Sequence, residues 1–276
     1  MNIINFKLKK NNFQNAYIIK KNKEFYIMNI INLYNTKNVP FYIKDTYKSI
    51  IPLNIYQTWH TKDLPPKMKE NYNFFKKHNP EFNHYLYDEN DCREFIKNNF
   101  NKDVLNAFDS LIPCAYKADL WRYCVLYING GIYIDIKFKC VNGFKLIALT
   151  ENEFFVRDKN PIGVLNGLII TKSKNELLLK VINKIVENVK LKYYGEDALQ
   201  ITGPNLLGRY FTQEEKNNME LCFDYTLIEG IFSDYYILYN TKIILKFYKE
   251  YRDDQKKTQK VPHYSVCWLE NKVYKV

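Results

Sequence analysis

The sequence lacks the features of several common classes of protein. None of its six cysteines forms a C-x-x-C pair, so the usual signature of a zinc site is missing. No apolar run approaches the ~18 residues that a membrane-spanning helix needs. The N-terminus has no apolar segment followed by small residues, as a secretory signal would. We therefore expect a soluble protein of a reducing, intracellular compartment, in which most cysteines are small core residues.

Arginine is scarce although the chain is strongly basic. Only five of the 41 basic residues are arginine, and the formal net charge is +11 at pH 7. The lysines are spread along the chain without a helix-turn-helix, zinc-finger or RNA-binding signature, so nucleic-acid binding is a weak hypothesis. The positive charge is also consistent with the compositional bias of an AT-rich genome, and with a basic cleft for an anion such as a nucleotide diphosphate.

The most informative stretch is residues 113–141, PCAYKADLWRYCVLYINGGIYIDIKFKCV. Pro113 suits the first position of a helix, and apolar residues then recur at helical spacing up to Ile128. Gly130 and Gly131 end that helix, because glycine tolerates the left-handed backbone that often follows a helix. The stretch therefore predicts a helix, a tight turn and a second element.

The second element is predicted to be a short buried strand. Residues 132–136 are β-branched or aromatic except for one carboxylate, Asp135. Lys137 lies two positions further on and shares a face with Asp135. Open α/β sheets bind their ligands at the carboxyl ends of the strands, so this pair marks a candidate site. Helices and strands alternate before it, which favours an α/β fold with a parallel sheet.

The same stretch resembles a known family. Its A-D-x-x-R-Y at 118–123 and G-G-x-Y-x-D at 130–135 resemble the signature of sugar transferases with a DXD motif. The similarity is to glycosyltransferase family 32, which includes fungal α-1,6-mannosyltransferases, and the catalytic cores of glucosylating toxins share the layout. The resemblance implies a GT-A-type, Rossmann-like α/β fold: a mixed, mostly parallel sheet with helices on both faces.

The resemblance also implies a set of site residues. Asp119, Arg122 and Asp135 would be catalytic, with the first two facing the donor sugar and ribose from one helix face. The alternative for that helical pair is an ordinary ion pair worth only ~0.3–0.5 kcal/mol. Glu196 and Asp197 would contact the acceptor, unless they only cap a helix. The residues expected to bind the donor are Gln57, Thr58, Trp59, Gly130, Gly131, Lys137, Asn166 and Trp268.

A divalent cation, Mn²⁺ or Mg²⁺, is implied by the family and needs oxygen-rich ligands. Asp135 is one candidate ligand. His263 is the other, because residues 262–268, PHYSVCW, resemble the family's H-x-x-x-S-W ending. Lys137 stands where the family has a second Asp. Its ammonium could replace the ion, the ion could remain with lower affinity, or catalysis could be lost.

The whole chain is predicted to have two parts. Residues 1–50 would be an N-terminal extension packed on or near the core, and residues 51–276 a glycosyltransferase catalytic domain, in which residues 251–260 form a charged, exposed loop. The predicted function is transfer of a hexose from a UDP- or GDP-sugar to an unidentified glycan, protein or lipid acceptor, with retention of configuration. The alternatives are a non-catalytic sugar-nucleotide-binding or assembly protein, and a nucleic-acid-binding protein.

Overall fold

A computed structural model describes residues 38–228, 231–258 and 261–275, together with two dipeptide strands near the N-terminus. The strands are β1 Ile3–Ile4, β2 Ile18–Ile19, β3 Asn54–Thr58, β4 Asn83–Tyr87, β5 Gly131–Ile134, β6 Phe138–Cys140, β7 Phe154–Arg157, β8 Val164–Thr171, β9 Leu221–Ile228, β10 Ile231–Tyr239 and β11 Lys242–Phe247. The helices are α1 Pro66–His78, α2 Glu89–Asn99, α3 Lys102–Ser110, α4 Cys114–Asn129, α5 Glu176–Lys190, α6 Pro204–Gly208, α7 Gln213–Asn217, α8 Tyr251–Thr258 and α9 Tyr264–Leu269, and Leu146–Leu149 forms a 3₁₀ turn.

Strands β3 to β11 form one mixed sheet in the order β4-β3-β5-β8-β7-β9-β10-β11-β6, which confirms the α/β class. The expectation that the sheet is mostly parallel is wrong. Only the pairs β3–β4, β3–β5 and β7–β9 are parallel, and the other described pairs are antiparallel. The reason is connectivity. Helices cross over between β3, β4 and β5, whereas only two residues separate β9 from β10 and β10 from β11, a length that can join only antiparallel strands.

Both faces of the sheet are covered. Tyr56, Tyr133 and Ile169 pack on one face against α2 to α6. Ile132 and Ile170 pack on the other face, with α1 and the 3₁₀ turn. The central strand β8 is buried along all eight residues. Successive side chains along β3 and β5 therefore point into two different layers, and only those in the same layer can line one site.

Helix α4 and the turn after it follow the sequence-based prediction. The helix runs from Cys114 to Asn129, and the Gly130 N–H donates to the Leu126 carbonyl. Gly130 has φ +63°, a left-handed conformation. Nine of the 16 helix residues are buried, and they include Asp119 and Arg122. A helix buried on this much of its surface holds its charged side chains inside the molecule, where they must find partners.

Residues 38–50 form neither helix nor strand and contact residues 142–151. The Phe41 N–H donates to the Asn142 carbonyl, and the Phe41 ring meets Phe144 edge-on at 4.9 Å between centroids. The ammonium of Lys44 lies 2.6 Å from a carboxylate oxygen of Glu151. The proposed boundary at residue 50 stays a prediction, and residues 5–17 and 20–37 of the expected extension lie outside the described part.

The segment predicted as a charged loop is instead mostly helical. Helix α8 begins at Tyr251, which is buried, and the Tyr248 hydroxyl donates to a carboxylate oxygen of buried Asp254 at 2.9 Å. The charges of Arg252, Asp253 and Asp254 made this segment resemble a loop. Arg252 and Asp253 are exposed, whereas Tyr251 and Asp254 form a buried face. Within the described ranges, no helix has the length and hydrophobicity to cross a bilayer.

We predict that Gly130→Ala destabilises the protein more than Gly143→Ala. Both glycines have positive φ, so each alanine costs about 1–2 kcal/mol in backbone energy. A Cβ on Gly130 would also lie 2.5 Å from the backbone nitrogen of Ser173, whereas a Cβ on Gly143 would meet no atom within 4 Å. Overpacking should add about 1–3 kcal/mol at Gly130 alone. Urea denaturation of both variants measures the difference, and equal losses would contradict this account of the turn.

Candidate active site

A cleft of about 520 Å³ opens beyond the carboxyl ends of β3 and β5. Thr58 ends β3 and Trp59 follows it, Asp135 to Lys137 follow β5, and the start of α4 forms one wall. The start of α8 and residues 261–264 form the opposite wall. The charged and aromatic side chains that line it are Trp59, His60, Glu89, Phe108, Lys117, Arg122, Tyr133, Asp135, Lys137, Tyr251, Arg252, His263 and Tyr264.

Arg122 lies at the floor of the cleft and is only 5% exposed. Its Nη2 lies 3.1 Å from Oδ1 of Asp119, and its Nη1 lies 3.5 Å from Oδ1 of Asp135. Nη1 also donates to the Asn166 carbonyl at 2.7 Å. The guanidinium stacks over the Tyr133 ring, 4.3 Å from its centroid. One arginine therefore joins the helix, the strand after the glycine turn and the central strand β8.

Asp119 lies behind Arg122 and outside the cleft lining. Its Oδ1 accepts from the Asn166 amide at 2.9 Å and its Oδ2 from the Thr202 hydroxyl at 2.7 Å. Burial raises the pKa of Asp119 above its usual value, although Arg122 acts in the opposite direction. With both oxygens engaged by protein donors, Asp119 is placed to fix the position of Arg122.

Asp135 reaches the cleft and is surrounded by donors. Its Oδ1 accepts from the Tyr133 hydroxyl at 2.7 Å, and its Oδ2 lies 2.7 Å from Nζ of Lys137. Burial alone would raise the pKa of Asp135, but the positive charges of Lys137 and Arg122 hold it below the usual value. Asp135 is therefore ionised at neutral pH, and its two oxygens orient one cation each.

Of the predicted site residues, the structure brings six to the cleft and leaves eight outside it. Those in the cleft are Thr58, Trp59, Arg122, Asp135, Lys137 and His263. Two others, Asp119 and Asn166, support Arg122 from behind. The remaining six lie elsewhere: Gln57, Gly130, Gly131, Glu196, Asp197 and Trp268.

Gln57, Gly130 and Gly131 lie outside the cleft because of the geometry of strands β3 and β5. Gln57 alternates with Thr58 along β3 and so points into the other layer, where it is 1% exposed. Gly130 and Gly131 lie at the start of β5, the end opposite Asp135. A Cβ on Gly131 would lie 2.7 Å from the Asn54 carbonyl oxygen, so this glycine allows close strand packing. None of the three is placed to contact a donor.

Trp268, Glu196 and Asp197 also lie outside the cleft, where they make local hydrogen bonds. The Trp268 indole donates to the Tyr194 carbonyl at 2.7 Å and packs in a small core outside the cleft. His263 lies just before α9 and lines the cleft, whereas Trp268 lies near the end of that helix and does not line it. Asp197 accepts from the Leu199 N–H at 2.7 Å and from the Asn205 amide at 2.9 Å. Glu196 and Asp197 thus order a turn and do not cap a helix, because the next described helix, α6, begins at Pro204.

Sequence reasoning missed several residues of the site. Tyr133 lies two positions before Asp135 inside the recognised motif, and Thr202 belongs to a T-G-P segment similar to the family's. Arg252 and Tyr251 line the cleft from α8. Arg252 is one of only five arginines in a lysine-rich chain, and that scarcity was the signal that could have identified it.

The side chains around Asp135 do not fit a divalent cation. Its two oxygens are occupied by Lys137 and Tyr133, with Arg122 beside them. Nδ1 of His263 lies 2.8 Å from the Ser265 hydroxyl and 3.4 Å from the Ser265 backbone nitrogen, so the start of α9 already engages this ring nitrogen. Among the described residues, no three His, Cys, Asp or Glu side chains are grouped to hold an ion. The metal ligands expected at Asp135 and His263 are thus not assembled.

Residues 65–155 match the family described as glycosyltransferase sugar-binding region containing DXD motif. This part of the chain is therefore similar to the sugar-binding region of the DXD-motif glycosyltransferases. The matched region contains Asp119, Arg122 and Asp135, and the family resemblance seen in the sequence is confirmed.

Individual glycosyltransferases are also similar to this chain. Glycosyltransferase L373 of Acanthamoeba polyphaga mimivirus is 30% identical over 60% of this chain, which spans 65% of that protein. The initiation-specific alpha-1,6-mannosyltransferase of Candida albicans is 29% identical over 33% of this chain, which spans 24% of that protein. Among solved structures, the PaToxG glycosyltransferase is 18% identical with a TM-score of 0.46, over 71% of this chain and 80% of that one.

We predict that Arg122→Met destabilises the protein by about 3–5 kcal/mol at pH 7, because it leaves Asp119 and Asp135 buried without their shared cation. The loss should be smaller at pH 4. Without the guanidinium, the folded-state pKa of both carboxyl groups rises. When the pKa of a carboxyl group is higher in the folded than in the unfolded protein, the protein loses stability as the pH rises from the unfolded-state pKa through the folded-state pKa. Chemical denaturation at the two pH values measures both effects.

Arg93→Met is the matched control. Arg93 pairs with Asp109 at 2.7 Å, but the two side chains are 39% and 36% exposed, so the loss should stay below about 1 kcal/mol. A similar small loss for Arg122→Met, or one independent of pH, would show that the buried network does not stabilise the fold.

Proposed function

We propose that the protein transfers a hexose from a UDP- or GDP-sugar to an acceptor hydroxyl, with retention of anomeric configuration. The observation that carries this proposal is the buried node in which Arg122 joins Asp119 and Asp135 at the floor of the cleft. An ordinary surface ion pair would need neither Asn166 nor Thr202 behind it.

The chemistry explains why such a node suits the reaction. The bond between the anomeric carbon and the phosphate oxygen breaks, and its electron pair stays on the departing diphosphate. A new bond forms from the acceptor oxygen to the anomeric carbon, and the acceptor proton passes to the departing phosphate. Positive charge develops on the sugar and negative charge on the leaving group. Asp135 and Arg122 lie against the sugar, while Lys137 faces the leaving group.

The part of the cleft beside Trp59 suits a nucleoside. The Trp59 indole N–H is buried and has no hydrogen-bond partner among the described residues. An unsatisfied buried donor costs about 1–3 kcal/mol, so a ligand acceptor would relieve that cost. The Trp59 ring lies 4.9 Å from the ring of His60, which leaves an aromatic surface for a base or ribose. Glu89 and Lys117 extend this wall with one charge of each sign.

Mannose is the first sugar to test, because two of the fungal relatives are named as inositol phosphoceramide mannosyltransferases and another as an alpha-1,6-mannosyltransferase. The acceptor, whether glycan, protein or lipid, is left open. A second candidate function is sugar-nucleotide binding without transfer. The observation that favours it is Lys137, whose ammonium occupies the position of an acid that the family uses.

The test is release of UDP or GDP from a panel of UDP- and GDP-sugars incubated with the purified protein. Water can replace the acceptor, so slow donor hydrolysis is expected even without it. We predict that Asp135→Asn lowers the rate on the order of 100-fold or more, since it removes a charge that acts on the transition state. The configuration of the released sugar, followed by proton NMR, tests retention.

Asp103→Asn is the matched control. It also replaces a carboxylate by an amide, but in an ion pair with Lys190 in which the Asp103 side chain is 53% exposed. The rate of nucleotide release should therefore not change. Equal rates in Asp135→Asn and the wild type would contradict the assigned site. Donor binding without any release of nucleotide would support the binding protein instead.

A further inference from the structure

The position of the family's second acid is occupied by a cation that is already engaged. Lys137 Nζ lies 2.7 Å from Asp135 and 5.0 Å from the centroid of the Phe247 ring, and its side chain is 21% exposed. An aromatic face and a carboxylate hold the ammonium in one direction. Lys137 is therefore a fixed point charge at the edge of the cleft, and it stands where an ion would otherwise be recruited.

Arg252 supplies a second fixed cation nearby. Its guanidinium lies 5.9 Å from the centroid of the same Phe247 ring and 5.5 Å from that of Tyr251, and it donates to the Gln255 amide oxygen at 3.0 Å. Arg252 lines the same cleft as Lys137. The two cations thus share one aromatic ring, approach the cleft from different elements and leave guanidinium donors for a ligand.

Neighbouring titratable groups agree with this placement. Burial and the charge of Asp135 raise the pKa of Tyr251, and Arg252 lowers it, so both charges act on the first turn of α8. Burial and the positive charge of Arg252 lower the pKa of His263, which favours its neutral form. The groups facing Arg252 are therefore aromatic rings and a neutral imidazole, with the carboxylate of Asp135 beyond them.

We propose that Lys137 and Arg252 bind the diphosphate of the donor in place of a divalent cation, so that donor binding and cleavage need no metal. The inference rests on the proposed function, since it assumes a nucleotide diphosphate in the cleft. Lys137 acts as a point charge and Arg252 as a planar fork that can contact two phosphate oxygens. The Lys137 side chain is only 21% exposed to water, which strengthens its effect on the leaving group, whereas Arg252 is exposed and contributes directional hydrogen bonds.

Calorimetric titration with UDP and with GDP tests the inference without relying on turnover. In wild type, the affinity for the preferred nucleotide should be the same within about twofold in chelator and in Mn²⁺. Arg252→Met and Lys137→Met should each weaken binding by about 10-fold or more, the effect of removing a hydrogen bond to a charged group. Arg93→Met removes an exposed arginine away from the cleft and should leave binding unchanged.

Lys137→Asp restores the D-x-D pattern and gives the opposite result. Binding should be lost in chelator and recovered with Mn²⁺, because two acids at 135 and 137 can now ligate an ion. Wild-type binding that appears only with Mn²⁺ would overturn the inference and leave the proposed function standing. Full binding by both methionine variants would also overturn it. No binding of either nucleotide under any condition would overturn the inference and the proposed function together.

Discussion

Burying the guanidinium of Arg122 away from water is the constraint on which the rest of the site depends. Desolvation of such a charge costs several kcal/mol unless partners replace the water. Here the partners come from three segments: Asp119 and the Ala118 carbonyl on α4, Asp135 after β5, and the Asn166 carbonyl on β8. The fold can bury the arginine only when all three segments are in place, so the assembly of the site and the assembly of the core are the same event.

The change of direction within the sheet lets this happen. Strands β3, β4 and β5 run parallel, and the cleft opens beyond the carboxyl ends of β3 and β5. Strand β8 runs antiparallel to β5, and Gly167 lies beside Asp135 without a side chain. A Cβ at Gly167 would lie 2.7 Å from a carboxylate oxygen of Asp135. The antiparallel neighbour therefore brings Asn166 to Arg122 and leaves room for Asp135 at the same point.

The sequence allowed Arg122, Asp135 and Lys137 to be predicted because one short helix–turn–strand segment encodes them. The supports of Arg122 were harder to find. Asn166 was expected to contact the donor, and Thr202 comes from a distant loop whose position depends on tertiary packing. Gln57 was misplaced because neighbouring strand residues face opposite layers, and a motif match does not say which neighbour faces the ligand. Arg252 was hidden in a run of charges that resembled a solvated loop.

The structure of a donor complex is the most direct test of the account, obtained with GDP-mannose and with UDP-glucose in the presence of a chelator. The account predicts the sugar against Arg122 and Asp135, the diphosphate between Lys137 and Arg252, and Asp119 still bonded to Arg122 behind them. A nucleotide bound outside the cleft, or a sugar that contacts neither Arg122 nor Asp135, would contradict the central claim that the buried arginine network is the transferase site.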